Sequence, residues 1–103
     1  MRFLLKVNMC VKAGNDAAKA GTLGATVAAI LADLKPEAAY FTDTNGQRTA
    51  FIFLEMQDAS QIPAIAEPWF LAFDAGIELH PVMLPEDLAR AASAIENAVK
   101  KYA

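Results

Sequence analysis

The sequence predicts an α+β domain with the element order βαββαβ and one further helix at its end. Three observations carry that expectation. Residues 3–11 alternate between apolar and polar side chains, the pattern of a half-buried strand. Asn45-Gly46 stands between two strand-like runs, and both central positions of a tight hairpin turn require φ > 0. Elsewhere apolar residues recur at three-and-four spacing, the stripe of a helix packed on one side.

In the first strand Phe3, Leu5, Val7, Met9 and Val11 share one face, and Arg2, Leu4, Lys6, Asn8 and Cys10 share the other. Gly14-Asn15 punctuates the chain, and Asn15 or Asp16 is placed to cap a helix running to about Leu34. Leu23, Val27, Ile30, Leu31 and Leu34 form its stripe. Gly21 and Gly24 fall inside that helix, each costing about 1 kcal/mol against alanine, which suggests a close backbone approach there. Pro36 ends it, because the residue before proline avoids helical geometry.

The hairpin follows, with strands Glu37 to Thr44 and Gln47 to Met56. A two-residue turn pairs Thr44 with Gln47, Thr42 with Thr49, and Tyr40 with Phe51. Asp58 or Ser60 caps the next helix, and Pro63 is tolerated in its first turn. Pro68 should kink or restart that helix, and Gly76 should stop it. Ile77 to Leu84 makes the fourth strand, and Pro81, lacking a donor, assigns it to a sheet edge. Pro85-Glu86-Asp87 opens the last helix, with the stripe Leu88, Ala91, Ala92, Ile95, Val99 and Tyr102. Right-handed crossovers lead from this order to a split βαβ, ferredoxin-like sandwich whose first and third strands are central.

Composition narrows the function. A chain of 103 residues forms one domain, 1–103. An apolar fraction of 55% with 20% charged residues argues against a disordered chain. A net charge of −3 argues against a nucleic-acid partner, which selects a basic face. One cysteine, Cys10, cannot close an internal disulfide and fits a reducing, cytoplasmic setting. One histidine, His80, excludes a metal site built on two or three imidazoles. The longest uncharged run considered, between Lys19 and Asp33, has 13 residues, whereas a membrane span needs about 20. No signal segment is expected either. Gly21-Thr-Leu-Gly24 matches an RNA-binding GxxG loop only as letters, and no phosphate loop, dinucleotide fingerprint or nucleophile elbow is present. No cofactor is expected.

The segment Ala66-Glu-Pro-Trp-Phe-Leu-Ala-Phe73, followed by Gly76-Ile-Glu-Leu-His-Pro-Val-Met83, resembles the dimeric α+β-barrel superfamily. Pro81-Val-Met83 and Pro85-Glu-Asp-Leu88 look like an uncharacterised bacterial family within it. That superfamily includes muconolactone isomerases, cofactor-independent antibiotic-biosynthesis monooxygenases and polyketide cyclases. The resemblance implies a homodimer, or a higher homo-oligomer, in which two sheets face each other. One fold hosts unrelated chemistries, so it does not choose among them.

Strand alternation identifies the face that carries function. Phe3/Leu5/Val7/Met9, Ala50/Ile52/Leu54/Met56 and Ile77/Leu79 suit the helix-covered side. The open side then presents Lys6, Asn8, Tyr40, Phe51, Phe53, Glu55, Glu78 and His80. A monomer exposing both Phe51 and Phe53 carries an apolar patch that calls for a cover, and a second subunit supplies it. His80, Lys6 and Asn8 are the candidate catalytic set, with His80 as acid or base. The plain alternative is an interface histidine within an ion-pair network. Tyr40, Phe51, Phe53, Glu55, Glu78 and Trp69 are candidate ligand contacts, although Trp69, Phe70 and Phe73 at helical spacing also read as core. The expected function is binding of a small apolar or aromatic molecule in an inter-sheet cavity of a homodimer. A cofactor-independent oxygenase, isomerase or cyclase is the first alternative, and a structural oligomer without ligand is the second.

Overall fold

In the computed structural model, which describes all residues from Met1 to Ala103, the first alternation stops at Asn8. Strand β1 covers Arg2–Asn8, and Val11 already opens helix α1, Val11–Ala20. The expected strand to Val11 and the expected helix start at Asn15 or Asp16 are both displaced toward the N-terminus. Cys10 occupies the N-cap without a side-chain hydrogen bond. Gly14 lies inside α1 and is buried. A Cβ there would meet Arg48 Nη1 at 2.7 Å and Met9 Sδ at 2.9 Å. The close approach expected at Gly21 and Gly24 is therefore found at Gly14 instead.

The single long helix is two helices. α1 ends at Gly21, whose φ of 75° is left-handed, and α2 runs over Leu23–Leu34 at 107° to it. The Gly21 N–H donates to the Ala18 carbonyl and the Thr22 N–H to the Ala17 carbonyl, so two of the last four carbonyls of α1 are satisfied. α2 stops at Leu34, and Lys35 turns left-handed just ahead of Pro36.

The hairpin forms as its turn dictates. β2, Ala38–Thr44, and β3, Gln47–Glu55, are joined through Asn45 at φ 53° and Gly46 at φ 74°. Thr44 pairs with Gln47, Thr42 with Thr49 and Tyr40 with Phe51. Asp58 then caps a short 3₁₀ turn: its carboxylate accepts from the Ser60 N–H at 2.8 Å, and Gln61 Oε1 accepts from the Asp58 N–H at 3.1 Å. Helix α3, Ile62–Phe73, continues through Pro68 rather than restarting there. Proline deprives the Ala64 carbonyl of its donor, but Ala64 is exposed and has water as a substitute. Asp74, left-handed at φ 48°, ends α3, and Gly76 opens β4, Gly76–Pro81. β4 is shorter than the expected Ile77 to Leu84. The last helix also divides, into α4, Pro85–Arg90, and α5, Ala92–Tyr102.

The four strands form one antiparallel sheet in the order β2-β3-β1-β4, so β1 and β3 are central and Pro81 closes an edge strand. The fold is α+β and compatible with a ferredoxin-like arrangement. Its core is the sheet face foreseen from alternation: Leu5, Val7, Met9, Ala50, Ile52, Leu54 and Met56 meet Ile30, Ile65, Trp69 and Phe73. Leu5 and Ile52 are fully enclosed, worth about 1.5–3 kcal/mol each in removed apolar surface. By contrast, no residue of α4 or α5 is buried. The molecule extends over 58 × 28 × 21 Å. No single helix is long and apolar enough to cross a membrane.

Candidate functional site

Register arranges the open sheet face in rows. One row runs Ala38, Phe53, Leu4, His80 across β2, β3, β1 and β4; the next runs Tyr40, Phe51, Lys6, Glu78. A third runs Thr42, Thr49, Asn8, Gly76. Aromatic side chains thus gather on the β2–β3 half, and ionisable ones on the β1–β4 half.

The candidate catalytic set divides between two rows and a third. Glu78 links His80 and Lys6: His80 Nε2 lies 3.2 Å from Glu78 Oε1, and Lys6 Nζ lies 3.5 Å from Glu78 Oε2. The His80 hydrogen bond first, and the Lys6 ammonium second, hold the Glu78 carboxyl below the usual carboxylate range. Glu78 therefore stays ionised at neutral pH, opposite to what a general acid near neutrality requires. Asn8 stands apart, opposite Gly76, while His80 is opposite Leu4. Asn8 Oδ1 accepts from Thr44 Oγ1 at 2.8 Å and from Thr49 Oγ1 at 2.9 Å. Thr49 is buried, and its hydroxyl also lies 2.7 Å from that of Thr44. This closed network leaves the Asn8 carbonyl oxygen occupied by the protein itself.

Of the ligand candidates, Phe51 and Phe53 are half-buried and Tyr40 is exposed on the open face. Glu55 pairs with the Met1 amino group at 3.0 Å. Arg2, also on this face, is held by Glu37 through both carboxylate oxygens, at 2.6 and 3.0 Å. Trp69 belongs to the other layer. It is 1% exposed beneath the helices, within the core and stacked at a tilt against Phe73 with ring centroids 6.3 Å apart. Its indole N–H is buried without an acceptor.

Trp69 also lines a cleft of about 530 Å³ on the helix-covered side. Val7, Leu23, Val27, Phe41 and Ala50 supply much of its wall, and Arg48 supplies its one ionisable group. Sequence alternation assigned Arg48 no role, and Phe41 none. Leu23, Val27 and Leu31 of α2 line the cleft together with Phe41 on β2, which is 58% exposed. No protein-family model matches the chain, and no curated protein is significantly similar to it.

Proposed function

We propose that this protein is a small-ligand-binding domain that works as a homodimer, its two open sheet faces turned toward each other around an apolar or aromatic molecule. The observation that carries this reading is the open face itself: Tyr40, Phe51 and Phe53 form an apolar half beside the Lys6–Glu78–His80 chain. Surface area supports a partner. The chain exposes 6743 Å², against about 5,600 Å² for a monomeric protein of 11.0 kDa. The excess, about 1,100 Å², is comparable to the ~800 Å² per partner of a standard interface. A two-fold pairing uses the same patch on both copies, and a ligand between them gains an apolar bed with Lys6 or His80 at its polar end.

Light scattering at low micromolar concentration tests the assembly. A mass near twice 11.0 kDa that falls to 11.0 kDa in Phe51→Asp or Phe53→Asp is expected, and a monomer throughout overturns the reading. Native mass spectrometry of the dimer with a metabolite extract tests the ligand; a dimer that retains no small molecule is a structural oligomer. Turnover abolished in a folded His80→Ala variant would replace binding by catalysis, of the oxygenase, isomerase or cyclase kind.

A further inference from the structure

We propose that the cleft between α2 and the sheet is a second site, taking an apolar carboxylate with its tail along the cleft and its carboxylate on Arg48. The site lies on the opposite face of the sheet from the one proposed above and needs only one chain. Three features argue for this ligand class. The cleft, at about 530 Å³, falls within the roughly 300–1,000 Å³ of small-molecule sites, and nine of its thirteen lining residues are hydrophobic. Its one ionisable side chain is a cation, and no acidic residue lines it. Arg48 takes part in none of the ion pairs of the fold, despite lying across from Asp43 in the β2–β3 register.

Arg48 is also held in place. Its side chain passes close over Gly14, where a Cβ would meet Nη1 at 2.7 Å, and Nη1 donates to Asn15 Oδ1 at 3.0 Å. One guanidinium nitrogen is thus used for anchoring, and the fork keeps further donors for a carboxylate. An amine is excluded by Arg48, and an alcohol forgoes the charge-assisted bond.

Trp69 is the one tryptophan in the chain, so its emission reports on this cleft directly. Full-length protein is titrated with decanoate, decanol and decylamine, following Trp69 fluorescence and, in parallel, heat by calorimetry. Decanoate should bind saturably at one per chain, about ten- to a hundredfold more tightly than decanol, the factor of a charge-assisted hydrogen bond. Arg48→Gln, a change at an exposed side chain, should erase that preference. Gly24→Leu should block all three probes while the protein stays folded, because Gly24 lines the cleft and a Cβ there meets nothing within 4 Å. Equal affinity for decanoate and decanol overturns the proposal, as does a preference that survives in Arg48→Gln. Emission that changes with protein concentration and ignores decanoate also overturns it, since a second copy then fills the cleft. Binding at this site in a protein that scatters as a monomer would uphold it while removing the dimer reading.

Discussion

Gly21 and Gly24 are three residues apart, and replacing each by alanine should move stability in opposite directions. At Gly21 φ is 75°, and a Cβ there meets no neighbour within 4 Å, so the penalty is local backbone crowding alone. That crowding costs roughly 1–2 kcal/mol for an L-residue, partly offset by about 0.4–1 kcal/mol from a less flexible unfolded chain. Gly21→Ala should thus lose about 1 kcal/mol. Gly24 has an ordinary negative φ inside α2 and equally open space around its missing Cβ. Gly24→Ala should gain about 0.5 kcal/mol or slightly more. The two variants then differ by about 1.5 kcal/mol, roughly 6–12 °C in melting temperature for a domain of this size. Melts followed by circular dichroism, at one protein concentration so that assembly contributes equally, measure the gap. If both substitutions stabilise, the chain is a continuous helix through residue 21, and the corner between α1 and α2 is refuted.

Three further outcomes follow from the same geometry. Thr49→Val removes the buried hydroxyl that donates to Asn8 and should cost about 1–3 kcal/mol in urea unfolding, whereas exposed Thr42→Val should stay within about 0.5 kcal/mol. Leu5→Ala empties a fully enclosed position and should cost about 2–5 kcal/mol; a smaller loss would mean that the helices collapse onto β1. Asp58 is held below its ordinary pKa by the Ser60 N–H, so its contribution is complete above the unfolded carboxylate pKa and is lost as pH falls through the folded one. Asp58→Ala should therefore melt lower than wild type at pH 7, and the gap should close in acid; a gap that persists at pH 2 would rule out the ionised cap as its cause.

Some of this was legible in the chain because it depends on nearest neighbours. The two faces of β1 and β3 follow from period two, and the β2–β3 register follows from Asn45-Gly46, whose left-handed pair fixes which residues lie opposite. Pro81 at an edge is a donor count and nothing more. The helix that breaks at Gly21 was not legible, since a glycine in a helical pattern is tolerated inside or used as a left-handed stop, and the letters are the same. Gly14 was misread for the converse reason: its neighbour Arg48 is 34 positions away in the chain and is brought there by folding. Alternation placed Lys6, Glu78 and His80 on one face, but the separation of Asn8 needed the β1–β4 register. The Arg48 cleft escaped altogether, because periodicity says which side a helix covers and not how far its cover reaches.

α5 has 11 residues, none of them buried, with Ile95, Val99 and Tyr102 between 54% and 77% exposed. An isolated helix shorter than about 12–15 residues is marginal in water, since nucleation outweighs the few hydrogen bonds it gains. Its backbone amides should accordingly be the first to exchange with deuterium, while those of β1 and β3 wait for global opening. Exchange in this segment then becomes a gauge of its surroundings: dilution leaves its protons free to leave within moments, and any surface laid along the Ile95–Val99–Tyr102 stripe slows them.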